Sequence, residues 1–126
     1  MVQVETSQLS GECNTWREGL RQYRDELSKD KKKLQDAASQ PLSKDQLQDV
    51  EHLHNQFHIQ LINIHDLKQA IKSHDRKMSF EKLAFNGSVN EDSLMRHENL
   101  LQEFTELNQT LQELRNEFQL FLKSTG

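Results

Sequence analysis

Leu100, Phe104, Leu107, Leu111, Leu114, Phe118 and Phe121 follow one another at alternating intervals of four and three residues. An α-helix turns once in about 3.6 residues, so this spacing keeps all of them on one face, whereas a strand would divide them between two. Two more stretches repeat the pattern. Leu9, Cys13, Trp16, Leu20, Tyr23, Leu27, Leu34 and Ala37 do so with Asp30 as the only lapse. Val50, Leu53, Phe57, Ile64, Leu67, Ile71 and Met78 do so with Gln60 and His74 as polar interruptions, and Leu61 widens that stripe. Stripes of this kind predict an all-α fold, an antiparallel up-and-down bundle of three long helices crossing at about +20° around one core.

Local signals predict where the helices begin and end. Pro41 cannot continue a helix, which ends the first one near residue 38. Ser43 and Gln46 have the spacing of a capping box, with Leu42 and Leu47 placed as a hydrophobic staple. For the first helix Ser7, Ser10 and Thr15 are alternative N-caps, Thr15 with Glu18 forming a second box, and the Leu9 register favours the earlier start. Between Ser79 and Asn90 the period fails and Asn86-Gly87 is a turn dipeptide. Phe80, Leu83 and Phe85 make this stretch too apolar for a free linker, so a short helical turn near 79–85, folded over the end of the bundle as a fourth member, is expected. Asn90 then caps the last helix, with Glu91 and Asp92 in its first turn and Val89 stapled to Leu94. The expected helices cover about residues 7–38, 44–77 and 91–123 of a single domain over 1–126, which stands alone or belongs to a larger protein. Trp16 on the core stripe of the first helix resembles the spectrin-type repeat, which also uses three long helices; one aromatic position in a generic pattern assigns no family.

Composition narrows the function classes. Only 33% of the 126 residues are hydrophobic, yet there are 18 leucines and 14 glutamines, while Val, Ile, Thr and Tyr are scarce, which disfavours sheets. The net charge of −4 is adverse to a polyanion. It arises entirely after Phe85: acids and bases balance at 13 each up to that residue, and seven acids face three bases beyond it. The one dense basic run, Lys29 to Lys33 with Asp30 inside it, has no aromatic interleaving and reads as a solvated helix end; no nucleic-acid partner is expected. A single cysteine excludes an intramolecular disulfide framework, and no basic stretch followed by an apolar core opens the chain, so a reducing compartment, cytoplasmic or nuclear, is expected. No apolar run approaches the roughly 20 residues of a membrane span.

No recognised catalytic or cofactor signature is present, and neither an enzymatic activity nor a cofactor is expected. Five of the six histidines lie between His52 and His74. His54 and His58 are one turn apart and can offer two imidazoles to a metal, but His65 lies about 10.5 Å further along and a third ligand has to come from another helix, with His97 or Glu98 as candidates. Otherwise these imidazoles are boundary residues of the bundle. Glu51-x-x-His54 matches half of a di-iron motif, but no second copy exists. Cys13 occupies a core position with no histidine in its own helix and reads as a small hydrophobe. Ile59 and Ile62 project about 140–200° away from Phe57 and cannot share its core, and Leu120 is a similar misfit. The resulting expectation is a non-enzymatic interaction module, a scaffold or adaptor that binds a helical partner or a second copy of itself through Ile59 and Ile62, with no small-molecule substrate. Two alternatives are a coiled-coil structural subunit whose stripes zip against other chains, and a metal-binding bundle using His54 and His58.

Overall fold

A computed structural model describes residues 2–3 and 6–125 of the chain. Its order is β1 (Val2–Gln3), α1 (Thr6–Ala38), α2 (Lys44–Ala84), β2 (Ser88–Val89) and α3 (Glu91–Thr125). The three expected helices are present. They run up, down and up: α1 and α2 are antiparallel, since Cys13 near the start of α1 lies beside His74 near the end of α2. On α3, His97, Gln112 and Arg115 meet Glu12, Tyr23 and Asp30 of α1 in rising order, whereas Gln46 of α2 reaches the Ser124 carbonyl.

The stripes form one core. Leu20, Leu27, Leu34, Leu53, Phe57, Ile64, Ile71, Leu100, Leu111 and Phe118 are all essentially inaccessible. Phe57 and Phe118 meet edge to face with ring centroids 5.3 Å apart, a geometry that adds quadrupole attraction to the burial of two large rings. The polar lapses in the stripes are buried as well: Asp30, Gln60 and His74 all point inward.

The start of α2 follows the expected capping box, with the Gln46 amide donating to Ser43 Oγ (3.1 Å) and the Ser43 amide donating to Gln46 Oε1 (2.9 Å). α1 begins at Thr6, earlier than any of the three candidate caps, so Ser7, Ser10 and Thr15 all lie inside the helix and the Thr15 hydroxyl donates back to the Gly11 carbonyl. Asn90 caps α3, its Oδ1 accepting from the Asp92 amide at 2.9 Å.

The end of α2 departs from expectation. The helix does not stop at 77 and no separate fourth helix covers residues 79–85; α2 continues to Ala84. The reason is that the heptad continues through a charged residue. Glu81 follows His74 and Met78 at intervals of four and three, is 5% exposed, and accepts from the Asn90 amide and the Ser93 hydroxyl, both at 2.9 Å. Phe80 and Leu83 therefore project outward, 67% and 84% exposed, rather than folding over the bundle end. The helix closes through a bond from the Gly87 amide to the Lys82 carbonyl, with Asn86 at φ 52° and Gly87 at φ 87°, a Schellman-type stop at the expected turn dipeptide. Just beyond it, Ser88 and Val89 pair antiparallel with Gln3 and Val2 in a two-residue ladder that periodicity does not announce. No described helix is long and apolar enough to cross a membrane.

Candidate functional site

Two features of the bundle go beyond core packing. The first is a polar cluster where the three helices meet, formed by the buried Cys13 of α1, His74 of α2 and His97 of α3, with the part-exposed Glu12 of α1 at its edge. Each position follows from the stripes: Cys13, His74 and His97 all occupy inward heptad positions, and the antiparallel order brings the three to the same level. All are buried, Cys13 fully, His74 to 4% and His97 to 5% exposure. One ligand-capable atom from each lies within 4.8 Å of the other two.

Hydrogen bonding orders this cluster. Glu12 Oε2 lies 2.7 Å from His97 Nε2, and His97 Nδ1 lies 3.0 Å from His74 Nε2. A carboxylate only accepts, so with both rings neutral the His97 proton is on Nε2 and its Nδ1 is the acceptor for His74 Nε2–H. His74 Nδ1 is then an acceptor itself, and it is buried without a hydrogen-bond partner among the described residues, as is Oδ1 of the adjacent Asp75. Trp16 packs on His97 at 4.7 Å between ring centroids and closes one side. Burial, helped by the nearby Arg96, pushes the His74 imidazole down to about 4, and burial, with the carboxylates of Asp75 and Glu12, pushes the Cys13 thiol up to about 12. At neutral pH the cluster holds a protonated thiol and a neutral His74. Cys13 in this state is a poor nucleophile.

The histidines singled out by spacing are elsewhere. His54, His58 and His65 are exposed on α2, and Glu98 is exposed on α3. His97 pairs with His74, about 24 Å along α2 from His58 at 1.5 Å per residue, so it does not complete a site with His54 and His58. The signal in the sequence for the cluster is that a cysteine and two histidines occupy inward heptad positions on three different helices. Looking for partners of Cys13 only within its own helix misses them.

The second feature is the outward face of α2. Ile59 and Ile62 are 45% and 47% exposed, as their angular positions require. Phe80 and Leu83 repeat the same two heptad positions three heptads further on. Together they belong to a second row at intervals of three and four: His52, Asn55, Ile59, Ile62, Asp66, Gln69, Ser73, Arg76, Phe80 and Leu83. Only Asp66 and Arg76 in it carry a full charge, in a chain that is 29% charged. Leu120 of α3 is also exposed, at 67%.

Comparison with protein-family models, curated proteins and solved structures gives no match.

Proposed function

We propose that the protein is a non-enzymatic interaction module, a scaffold or adaptor whose occupant is a helix of a partner protein lying along the outward face of α2. The observation that carries this reading is the second three-and-four row, in which four large apolar side chains, Ile59, Ile62, Phe80 and Leu83, are 45–84% exposed. A row with that spacing is what a second helix reads when it packs at a shallow angle, and the low charge of the row reduces the desolvation cost of covering it. Isolated exposed apolar residues are ordinary on protein surfaces; four at repeating positions of one helix face form a pattern. The inward stripes, in contrast, are covered by one another within the chain, which favours a self-contained bundle over an open coiled-coil subunit.

The test is a pull-down with the parent chain and with Ile59→Glu/Ile62→Glu and Phe80→Glu/Leu83→Glu variants, together with sedimentation of each. The reading expects a helical partner captured by the parent and lost by both variants, with circular dichroism unchanged. Capture that survives both pairs of substitutions removes this face from consideration, and a concentration-dependent dimer abolished by the same substitutions identifies the occupant as a second copy.

A further inference from the structure

We infer that Cys13, His74 and His97 form a three-helix binding site for a divalent transition-metal cation of zinc type, with Glu12 as the outer carboxylate that orients His97. This is a different site from the exposed His54/His58 pair and is independent of the outward face of α2.

Ligand chemistry is the first argument. One thiol and two imidazoles are a donor set suited to a borderline-soft cation, and zinc sites with one open position use three protein ligands of this kind. Tetrahedral zinc with bonds of about 2.3 Å to sulfur and 2.0–2.1 Å to nitrogen needs about 3.3 Å between two nitrogens and about 3.6 Å between sulfur and nitrogen. Here the facing nitrogens of His74 and His97 are 3.0 Å apart and all three donor atoms fall within 4.8 Å. The adjustment is within reach of side-chain rotation.

Second, the outer carboxylate is already in place. A histidine that ligates through one ring nitrogen commonly donates its other N–H to a carboxylate, which fixes the tautomer and raises the basicity of the ligating nitrogen. Glu12 accepts from His97 Nε2 at 2.7 Å and thereby turns the Nδ1 lone pair toward His74. Electrostatics agree, since a Cys13 thiolate and the Glu12 carboxylate together neutralise a divalent cation.

Third, the cluster is short of positive charge. In the tautomer whose Nε2–H donates to His97, His74 Nδ1 is an acceptor like Asp75 Oδ1, and neither of these buried atoms has a hydrogen-bond partner among the described residues. Buried polar atoms without partners are uncommon and call for a reason. A cation on His74 Nε2 displaces the proton there, and its transfer to Nδ1 converts one of these acceptors to a donor. The Cys13 proton leaves to solvent as the thiolate forms, so binding releases one proton and the cation takes its place. Water fills the fourth position.

Titration of the metal-stripped full chain with cobalt(II) tests the site directly. One cobalt per chain is expected, with a thiolate-to-cobalt charge-transfer band in the near ultraviolet and strong visible bands of tetrahedral cobalt, both displaced by zinc. Cys13→Ser should abolish the charge-transfer band and weaken binding at least tenfold, and Glu12→Gln should keep both bands while weakening binding by about 10–100-fold. His54→Gln/His58→Gln should leave the titration unchanged. The parent spectrum stands whether or not any variant folds, and circular dichroism verifies the fold of each. Absence of a charge-transfer band in the folded parent at saturating cobalt overturns the site. So does a cobalt signal that survives Cys13→Ser but disappears in the His54→Gln/His58→Gln variant.

Discussion

Arg115 shows how much of this bundle depends on single polar positions. Its Nε donates to Asp30 Oδ2 at 2.8 Å and its Nη1 donates to Glu26 Oε2 at 2.8 Å, and the hydrogen bond to Asp30 holds the guanidinium above its ordinary range. The two ends of the pair differ in solvent access: the Asp30 side chain is 1% exposed and that of Arg115 is 28% exposed. Removing either member should therefore have unequal consequences. Arg115→Leu strands a buried carboxylate and should cost about 3–5 kcal/mol. Asp30→Leu puts an apolar side chain on an apolar stripe and leaves Arg115 with Glu26 and water, so about 1 kcal/mol or less is expected, by the same reasoning that buried ion pairs can often be replaced by hydrophobes. Urea denaturation of the two variants measures the difference, and equal losses, or the reverse order, contradict this account. Asp30 was visible in the sequence as the lapse in the first stripe. Arg115 was not, because spacing within a helix does not set how far that helix slides along its neighbour.

The elements were legible in proportion to how far apolar residues mark their faces. α1 and α3 match their expected ranges within two residues at each end, and the capping box at Ser43 and the cap at Asn90 are where the local chemistry placed them. α2 runs past its expected end because Glu81 takes the next inward position, a residue that an apolar period counts as a failure. Its carboxylate is held there by the amide of Asn90 and the hydroxyl of Ser93, so it also fixes the start of α3. The basic run was likewise read from local pattern alone: Lys29 and Lys31 to Lys33 lie short of the last turn of α1, which contains no basic residue, and Asp30 turns inward. One element-level weakness can be removed. Gly11 and Gly19 both lie inside α1, where glycine is less favourable than alanine by about 0.8–1 kcal/mol. A Cβ at Gly11 meets nothing within 4 Å, whereas at Gly19 it meets Phe104 Cζ at 3.4 Å. Gly11→Ala should thus gain about 0.5–1 kcal/mol, read as a rise in Tm of roughly 2–4 °C. Gly19→Ala should gain no more than that. A lower Tm for Gly11→Ala would show that this glycine has a role beyond the helix.

At the scale of the whole molecule, an apolar third suffices for one continuous core because the three stripes turn their apolar residues toward one another, although nine large apolar side chains among the described residues stay exposed. The same arrangement hid the buried cysteine–histidine cluster: Cys13, His74 and His97 were each visible as inward positions, but their meeting depends on the mutual register of three helices, which only the assembled bundle defines. It also means that neighbouring apolar residues on α2 have opposite roles. Phe57 is fully buried against Phe118, while Ile59, two residues on, and Ile62 are nearly half exposed. Phe57→Ala removes a large ring from a closed core and should cost about 3–5 kcal/mol, a substantial part of the roughly 5–15 kcal/mol typical of a whole domain. Ile59→Glu/Ile62→Glu exchanges exposed β-branched side chains for residues that favour helices slightly more, so stability should stay within about 0.5 kcal/mol of the parent. Thermal denaturation of dilute protein reads both. A large loss in the isoleucine variant would mean that these side chains stabilise the fold itself, and the outward face of α2 would then have to be reassigned from partner binding to the folded state of the chain or of its oligomer.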